Sequence, residues 1–546
     1  MKIALAQLNY HIGNFEFNTQ KIIQTLTEQK AAGADLVVFA ELSICGYPPR
    51  DFLEYPEFIA LCKQAALEIA EACEGIACIV GVPELNPVIE GKDLYNAAYF
   101  MADGEIKQVI RKALLPTYDV FDEYRYFEPA HEFKCVDYKG YKIAVTICED
   151  LWNLGDNPLY KACPMDELIK EEPDFMVNIA ASPFAYNHDE QRIVILSQNC
   201  HKYQIPLFYV NQVGAHTELI FDGGSLVFDK AGDIVSELKY FEEDVQIFDV
   251  GQVKSSIVLS ENQERPSDTA QVHQALVLGV RDYFQKLGFK KAILGLSGGI
   301  DSALVCALAC EALGAENVMA VLLPSKYSSD HSVKDALDLV KNIGCKHTTL
   351  PIAQVAAAFE ETLAQEFEGL APSLAEENIQ ARSRGVLLMA MSNKFGYVLL
   401  NTSNKSESAV GYGTLYGDMC GAISVIGDCY KTQVFQLARY INRNGEIIPE
   451  NTIVKPPSAE LRPDQKDSDS LPEYDILDKI LFEYIELKKS SKEIIEQGFD
   501  VDLVKKVLNL VNNAEFKRYQ TPPILRVSPK AFGMGRRMPI VGKYLF

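Results

Sequence analysis

The sequence predicts an α/β protein made of two layered domains, each a β-sheet covered by helices. Short apolar, β-branched runs alternate with helical patterns along the chain. A polar, proline-containing stretch at residues 260–268 separates two such series and is the predicted linker. The length of 546 residues suits two large domains, or three to four domains of about 150 residues each.

Composition restricts the class of protein further. Hydrophobic residues make up 48% and charged residues 23%, which excludes wholesale disorder. The 52 basic and 75 acidic residues give a net charge of −23, which argues against a broad nucleic-acid-binding surface. No stretch reaches the roughly 18 apolar residues of a membrane span. The 13 cysteines form no C-x-x-C motif, so we expect a cytoplasmic protein with neither a disulfide scaffold nor a zinc site.

The first predicted domain covers residues 1–260 and contains a series of strands with helices between some of them. Helical patterns occupy residues 18–32 and 56–72. Several strands are apolar enough to be buried on both faces. The predicted strands are residues 2–8, 35–42, 76–84, 141–150, 175–182, 206–212 and 224–229.

The second predicted domain covers residues 270–546, and its strand, glycine-rich loop and helix order predicts a doubly wound parallel sheet. Helices are predicted at residues 270–287, 303–313, 335–343 and 377–395. Strands are predicted at residues 291–296, 317–323 and 397–401. Residues 451–471 are rich in Pro, Asp and Ser and are predicted to form a surface loop.

The strongest local motif is SGGIDS at residues 297–302, between a predicted strand and a predicted helix. Glycine lets the backbone approach a ligand closely, and the helix N-terminus presents N–H groups to an anion. The motif lacks the G-K-[ST] of a Walker loop and the spacing of the dinucleotide fingerprint. Asp301 would repel a phosphate unless Mg²⁺ bridges the two. The alternative is a glycine-rich turn that only caps a helix.

This loop resembles the pyrophosphate loop of ATP pyrophosphatases, which cleave ATP to AMP and pyrophosphate while they adenylate a substrate. The family includes NAD, GMP and asparagine synthetases and tRNA-modifying enzymes, so the loop leaves the second substrate open. The resemblance implies Mg²⁺ at Asp301. It also implies that ATP contacts Gly295, Leu296, Ser297, Gly298, Gly299, Ile300, Asp301 and Ser302.

Three residues point to a second chemistry in the first domain, and two of them lie at predicted strand ends. Cys148 ends the strand in YKIAVTICEDLW, and Glu41 ends the strand in FAELSICGYPP. Lys112 lies in RKALLPTYDVFDE. A cysteine at a strand edge can be a nucleophile if a carboxylate takes its proton and an ammonium group holds the developing oxyanion. Taken singly, a buried core cysteine and solvated charged residues are the alternatives.

Together these motifs resemble the Glu–Lys–Cys triad of the nitrilase superfamily, in the same chain order, over about residues 1–250. The resemblance implies an α-β-β-α sandwich with carbon–nitrogen hydrolase activity. Glu41 would be the general base, Lys112 the oxyanion stabiliser and Cys148 the nucleophile. Nitrilases use a second glutamate, which Glu123 or Glu128 could supply.

Four segments of the second half resemble NAD synthetases: EENIQARSRGVLLM, LNTSNKSESAVGYGTLYGDMCG, KPPSAELRPDQKDSDSLPEYDILD and FKRYQTPPILRVSP. With the nitrilase-like half, the whole chain resembles bacterial glutamine-dependent NAD synthetases. The resemblance implies that glutamine hydrolysis supplies ammonia and that ATP adenylates the nicotinate carboxylate of deamido-NAD. Ammonia would then displace AMP to give NAD. It also implies a homo-oligomer.

The same resemblance assigns the remaining site residues. Glutamine would be oriented by Tyr118, Ser182 and His188, the last of which is Arg in some relatives. ATP would also contact Thr402, Lys431 and Ser458. Deamido-NAD would contact Arg382, Glu407 and Lys517, and the metal ligands would be Asp301 and Glu407. Leu415 stands where ammonia-only synthetases carry a lysine and receives no role. The DSDS run near Asp467 is predicted to be a solvated acidic loop.

Three alternative functions share some of these motifs but fit the sequence less well. A GMP or asparagine synthetase would use the same ATP chemistry, but these enzymes carry a Cys–His–Glu glutaminase or a cysteine at position 2, where this chain has Lys2. A regulatory nucleotide-binding protein with an inactive hydrolase half conflicts with the presence of the complete triad. An RNA-thiolating enzyme conflicts with the low basic content and the lack of a catalytic cysteine pair.

Overall fold

The computed structural model describes residues 1–154, 158–256, 265–463 and 465–542. The chain forms two compact units, Met1–Arg265 and Pro266–Phe546. Residues 260–264 of the predicted linker lie outside the described residues. Within the described ranges, every helix is too short or too polar to cross a membrane.

The first unit is built mainly from strands. Its strands are β1 (Lys2–Gln7), β2 (Leu36–Val38), β3 (Ala77–Leu85), β4 (Leu94–Ala102), β5 (Glu105–Arg111), β6 (Val136–Tyr138), β7 (Tyr141–Ile147), β8 (Phe175–Ala180), β9 (Leu207–Asn211), β10 (Val213–His216), β11 (Leu219–Asp222), β12 (Leu226–Phe228), β13 (Ile234–Glu237) and β14 (Asp244–Asp249). Its helices are α1 (Phe15–Ala31), α2 (Pro56–Glu71), α3 (Pro164–Leu168), α4 (His188–Tyr203) and α5 (Val250–Lys254).

Two six-stranded sheets form the centre of this unit, in the orders β14-β1-β2-β3-β4-β5 and β13-β12-β9-β8-β7-β6. In each sheet three central strands are parallel: β1–β3 in one and β7–β9 in the other. Their facing sides share one apolar core, which includes Ile3, Ile79 and Val177. Each such side chain contributes about 1.5–3 kcal/mol on full burial.

Helices cover the outer faces of both sheets. Ile22 of α1 and Phe58 of α2 pack with Val37 and Val80 on the outer side of the first sheet. Helices α3 and α4 contact the second sheet through strands β7 and β12. The predicted α-β-β-α sandwich is confirmed.

Sequence reasoning missed the hairpin of β4 and β5, which supplies the strand that leads to Lys112. Its turn residues Asp103 and Gly104 have φ angles of 53° and 77°. An Asp-Gly pair between two apolar runs is a strong hairpin signal because both residues tolerate positive φ. The signal was therefore present in the sequence.

The second unit is richer in helix. Its strands are β15 (Ala292–Gly295), β16 (Val318–Leu322), β17 (Lys346–Thr349), β18 (Val398–Asn401) and β19 (Ile423–Ser424). Its helices are α6 (Asp268–Leu287), α7 (Ile300–Leu313), α8 (Asp330–Ile343), α9 (Ala353–Thr362), α10 (Leu374–Phe395), α11 (Lys405–Val410), α12 (Lys431–Ile441), α13 (Glu450–Val454), α14 (Tyr474–Ile485), α15 (Ser491–Glu496), α16 (Val501–Asn513) and α17 (Glu515–Arg518).

The five strands of this unit are parallel, in the order β17-β16-β15-β18-β19. The strand order reverses direction between β15 and β18. In such sheets, ligands bind beyond the carboxyl ends of the strands at this switch point. The predicted doubly wound parallel sheet is confirmed, and the SGGIDS loop follows β15 at that position.

The predicted surface loop at residues 451–471 is partly wrong. Helix α13 extends to Val454, and a short 3₁₀ turn covers Asp467–Asp469. Asp467 is buried rather than solvated, and its Oδ2 accepts a hydrogen bond from the Tyr474 hydroxyl at 2.9 Å. A local excess of Pro, Asp and Ser indicated a loop correctly but could not show which side chain turns inward.

Candidate active sites

Glu41 lies in a tight turn beyond β2, not in the strand predicted over residues 35–42. The strand ends at Val38, and Leu42 has a φ of 46°, which is incompatible with extended structure. The Glu41 side chain is fully buried. Its Oε1 accepts a hydrogen bond from Asn96 Nδ2 at 2.7 Å, and its Oε2 accepts one from the Ala181 N–H at 3.1 Å. The carboxylate is therefore fixed in position.

Lys112 directly follows β5 and is fully buried between two carboxylates. Its Nζ lies 2.7 Å from Glu41 Oε1 and 2.8 Å from Glu123 Oε2. Burial disfavours the charge of the lysine, but the charges of Glu123 and Glu41 dominate and raise its pKa well above the usual value. Lys112 is therefore a fixed cation.

Glu123 is the second glutamate of this cluster. Besides Lys112, its Oε1 accepts a hydrogen bond from the Tyr47 hydroxyl at 2.8 Å. Burial raises the pKa of Glu123, and the charge of Glu41 adds to the rise. Glu128, the other candidate, instead accepts a hydrogen bond from the Lys92 backbone N–H at 2.9 Å.

Cys148 begins a short 3₁₀ turn, Cys148–Leu151, where β7 ends. Its φ of 44° is unusual for a residue with a side chain and marks strain of the kind found at functional sites. Asp150 holds the turn by accepting hydrogen bonds from the N–H groups of Ile147, Ala113 and Leu114 at 2.9–3.0 Å. The latter two follow Lys112, so one carboxylate ties the cysteine turn to the lysine segment.

The Cys148 thiol is protonated at rest. Burial raises its pKa well above the usual value, and the charge of Glu41 raises it further, while Lys112 opposes the rise. A thiol in this state needs a base at the moment of attack, because the thiolate is the nucleophilic form. Glu41, whose charge acts strongly on the thiol, is suited to that role.

Glu149 was not predicted as a site residue, although it directly follows Cys148. Its Oε1 accepts hydrogen bonds from the hydroxyls of Tyr118, at 2.9 Å, and Tyr160, at 3.1 Å. Burial raises the pKa of Glu149 to about 7. Tyr118 itself is 42% exposed. A buried carboxylate with a partly exposed tyrosine is a suitable contact for a polar substrate.

Ser182 and His188, the other two residues predicted to bind glutamine, lie at or beside the sheet that contains β7. Ser182 follows β8, which runs parallel to β7, so Ser182 and Cys148 lie at the same carboxyl-terminal end of these strands. Asn211 Oδ1 accepts a hydrogen bond from the Ser182 N–H at 2.9 Å. His188 begins α4, and its ring stacks on Trp152 with centroids 5.3 Å apart.

Replacing Lys112 by Met should destabilise the first unit strongly. The change leaves two buried carboxylates without their cation, and breaking a buried pair in this way costs about 3–5 kcal/mol. Arg111→Met is the matched control, because the adjacent Arg111 pairs with Glu84 where both side chains are partly exposed. Such pairs contribute about 0–1 kcal/mol. Denaturant unfolding measures both, and equal losses of stability would contradict the description of the cluster.

The SGGIDS loop in the second unit is held by its own serines. Ser302 Oγ accepts a hydrogen bond from the Ser297 N–H at 3.2 Å and donates one to the Gly299 carbonyl at 3.1 Å. Ser297 Oγ accepts one from the Gly299 N–H at 3.1 Å. Gly299 is the N-cap of α7 and has no side chain to cap it, which leaves the first helical amides available to an anion.

The residues before this motif anchor it to the sheet. Gly295 is the last residue of β15. Leu296 is buried, and its N–H donates to the Val321 carbonyl at 2.8 Å. The loop thus starts from a fixed strand end.

Gly298→Ala should disable this loop. Gly298 has a φ of 84°, and a Cβ there would lie 2.1 Å from the Ser332 carbonyl oxygen, which belongs to the backbone and cannot swing away. We expect a loss of more than about 2 kcal/mol of stability or a displaced loop with a raised KM for ATP. Gly288→Ala is the control, because Gly288 has a φ of 73° but no atom within 4 Å of the added carbon. Thermal unfolding and ATP titration should distinguish the Gly298→Ala variant from the Gly288→Ala control. A fully active Gly298→Ala variant would contradict the close contact between residue 298 and the Ser332 carbonyl.

Asp301 belongs to a partly buried charge cluster and does not face only the loop. Its Oδ2 is 2.5 Å from Lys431 Nζ, and its Oδ1 accepts a hydrogen bond from Asn404 Nδ2 at 2.8 Å. Lys431 Nζ also lies 3.2 Å from Glu407 Oε1. Burial and then the charge of Asp301 raise the pKa of Glu407 to about 8, although Lys431 lowers it. The structure brings together three residues that the sequence predicted, and adds Asn404.

Asp467 adds a third carboxylate to this cluster. Its charge raises the pKa of both Glu407 and Lys431. With Asp301 and Glu407, three carboxylates act on the single ammonium group of Lys431. The cluster therefore carries an excess of negative charge when all its members are ionised.

Arg382 and Lys517 converge on one segment, residues 411–415. Lys517 Nζ donates to the carbonyls of Gly411 and Gly413, both at 2.8 Å. Arg382 Nε donates to the Leu415 carbonyl at 3.2 Å. This segment, with Glu407 and Tyr412 among the lining residues, borders a small cavity. Burial lowers the pKa of Lys517.

Thr402 and Ser458 both lie in connecting segments of the second unit. Thr402 follows β18 and precedes α11. The exposed Ser458 donates its hydroxyl to the Gln465 carbonyl at 2.5 Å. Two residues later, Glu460 accepts hydrogen bonds from Ser329 and from Ser332, whose carbonyl is the one packed against Gly298. The Ser458 loop is thus attached beside the SGGIDS loop.

Fold and geometry define the class of protein: a carbon–nitrogen hydrolase unit on the same chain as a parallel-sheet unit of the NAD synthase type. The carbon-nitrogen hydrolase family model matches residues 2–159, and the NAD synthase family model matches residues 272–521. The chain belongs to the family of glutamine-dependent NAD(+) synthetases, as its relatives show.

The relatives match this chain over its whole length. The glutamine-dependent NAD(+) synthetase of a Synechocystis species is 47% identical over 546 residues and covers 98% of both chains. That of Acinetobacter baylyi is 42% identical, covering 99% of this chain and 98% of its own. The solved glutamine-dependent NAD+ synthetase of Acinetobacter baumannii, in complex with adenosine diphosphate, is 39% identical with a TM-score of 0.79, and the match covers 99% of this chain and 98% of that one.

Proposed function

We propose that this chain converts deamido-NAD to NAD, with ATP as the energy source and the amide of glutamine as the nitrogen source. The observation that carries the proposal is the presence of two complete charge clusters on one chain. One surrounds Cys148, and the other joins Asp301 of the phosphate loop to Lys431 and Glu407. Besides NAD, the proposed reaction would yield AMP, pyrophosphate and glutamate. The full-length similarity to glutamine-dependent NAD(+) synthetases supports this reaction.

In the first unit, Cys148 is proposed to attack the side-chain amide carbon of glutamine. Glu41 takes the thiol proton and passes it to the leaving ammonia, while Lys112 holds the oxyanion. Water then cleaves the thioester to glutamate. Glu123 holds Lys112 in place, since it contacts the ammonium at 2.8 Å. Tyr118, Ser182 and His188 are proposed to orient glutamine, together with Glu149.

In the second unit, the loop from Gly295 to Ser302 is proposed to bind the phosphates of ATP. The first-turn amides of α7 and the ammonium of Lys431 complement the phosphate charge. The nicotinate carboxylate of deamido-NAD attacks the α-phosphorus, pyrophosphate leaves, and ammonia then displaces AMP from the acyl-adenylate. Thr402 and Ser458 are proposed as further ATP contacts, and Arg382, Glu407 and Lys517 as deamido-NAD contacts.

Mg²⁺ fits the carboxylate cluster of this unit. Its ligands are hard oxygens, and Asp301, Glu407 and Asp467 carry more negative charge than Lys431 balances. Asp301 and Glu407 are the proposed ligands. When bound, the ion would neutralise phosphate charge on ATP. Without it, Lys431 is the group that holds the two carboxylates together.

We also propose that residues 1–260 are the glutaminase domain and residues 270–546 the synthetase domain of a homo-oligomer. The boundary agrees with the division into two compact units near residue 265. Two exposed apolar side chains on one face of α10, Val386 and Met389, offer a surface for self-association. Light scattering of the purified protein would measure the assembly.

One assay tests the reaction. Purified protein is incubated with deamido-NAD, ATP, Mg²⁺ and glutamine, and NAD, AMP and glutamate are measured by chromatography. We expect the three products in equal amounts, or glutamate in excess if some ammonia escapes. Formation of glutamate without NAD would mean that the protein has glutaminase activity only. Release of ADP in place of AMP would contradict the adenylate route.

A further inference from the structure

Three cysteine thiols form a cluster in the second unit that none of the proposed reactions uses. Cys306 and Cys310 lie one helical turn apart on α7, and Cys345 directly precedes β17. The three Sγ atoms lie within 4.8 Å of one another, and those of Cys306 and Cys345 are 3.9 Å apart. All three cysteines are buried and free. Helix α8 separates Cys310 from Cys345 in the sequence, so no spacing motif announced the cluster.

The cluster lies away from the phosphate loop. Strands β15, β16 and β17 are parallel. The start of β17 therefore lies at the amino-terminal end of the strands, and the loop that follows β15 lies at their carboxyl-terminal end. Cys306 is six residues after Ile300, the first residue of α7, a distance of about 9 Å along a helix axis. The thiols are therefore a separate group and not part of the ATP site.

The separation of the sulfur atoms suits a shared ion. Thiolates bound at the usual metal–sulfur distance of about 2.3 Å are themselves about 3.8–4.0 Å apart. The pair of Cys306 and Cys345 is already at that separation, at 3.9 Å.

We propose that Cys306, Cys310 and Cys345 form a binding site for one monovalent copper ion. Thiolate ligands select soft cations such as Cu(I), whereas structural zinc sites take four ligands and this group offers three. Each thiol that binds the ion releases its proton to solvent, and no electron is transferred. The bound ion would tie α7 to the start of β17.

The test uses reduced, full-length protein under anaerobic conditions, with Cu(I) as the probe and a chromophoric Cu(I) chelator as competitor. Wild-type protein should take up one ion more than Cys310→Ser or Cys345→Ser, and X-ray absorption should show sulfur coordination only. Loss of a ligand should weaken binding by about 100-fold or more, since even outer partners of a metal site cost about 10- to 100-fold. Cys163→Ser is the control, because Cys163 is free and lies in the other unit.

Two results would overturn the proposal. One is equal Cu(I) uptake by wild type and both cluster variants, and the other is nitrogen or oxygen coordination of the bound ion. Circular dichroism checks that the variants are folded. If they are not, the wild type is alkylated with and without Cu(I) in enough denaturant to expose buried thiols, and mass spectrometry replaces the variants. Cu(I) should then protect the three cluster cysteines and leave Cys163 reactive, and no protection would refute the site.

Discussion

Cys148→Ala should lose glutamine-dependent NAD formation while it keeps NAD formation from added ammonium. The sulfur is the only atom of this residue that bonds to substrate in the proposed reaction. Loss of a catalytic nucleophile lowers the rate by about 10⁴-fold or more. The phosphate loop and the Asp301 cluster belong to the other compact unit and are left intact. NAD is measured with glutamine and with ammonium as alternative nitrogen sources.

Cys163→Ala is the matched control for this variant. Cys163 lies in the same unit and is also a free cysteine, but its sulfur contacts the Tyr203 hydroxyl at 3.4 Å. We expect it to retain both activities. If Cys148→Ala kept its glutamine activity, Cys148 would be a structural residue. If it lost both activities while folded, the two sites would be coupled more tightly than proposed.

Asp301→Ala should abolish NAD formation from both nitrogen sources. The change removes the carboxylate that lies 2.5 Å from Lys431 and the proposed ligand of Mg²⁺. Loss of one electrostatic group of this kind costs about 10²- to 10³-fold in rate. Because the change leaves the Cys148 site untouched, glutamate should still be released from glutamine. NAD, AMP and glutamate are measured in the same reaction.

Asp330→Ala is the control for Asp301→Ala. Asp330 also occupies the first turn of a helix, α8, but it is exposed. We expect full activity from it. An active Asp301→Ala variant would remove Asp301 from the adenylation chemistry, and circular dichroism shows whether an inactive one is folded.

Much of each site could be predicted because its residues lie in local motifs. Cys148 and Glu41 each follow an apolar run that predicts a strand. The strand before Lys112 was not predicted, and Lys112 was identified from the motif RKALLPTYDVFDE around it. The glycines and serines of residues 297–302 likewise lie between one strand and one helix. Motifs of this kind keep their meaning whatever the rest of the chain does.

What could not be predicted depends on contacts between distant segments. The choice between Glu123 and Glu128 depends on a 3₁₀ turn, Glu123–Arg125, which directs Glu123 toward Lys112. Burial of Asp467 depends on Tyr474, and the role of Asn404 depends on Asp301 in another element. No local pattern shows which polar side chain of a loop meets a partner from elsewhere, since such contacts appear only when the sheet is assembled.

The central claim is that nitrogen passes from glutamine to the dinucleotide on this chain. Glutamine labelled with ¹⁵N in its side-chain amide is supplied with deamido-NAD, ATP, Mg²⁺ and unlabelled ammonium, and the NAD is analysed by mass spectrometry. We predict that wild-type protein places ¹⁵N in the carboxamide of NAD and that Cys148→Ala gives only unlabelled NAD. Unlabelled NAD from wild-type protein, or no NAD at all, would contradict the account.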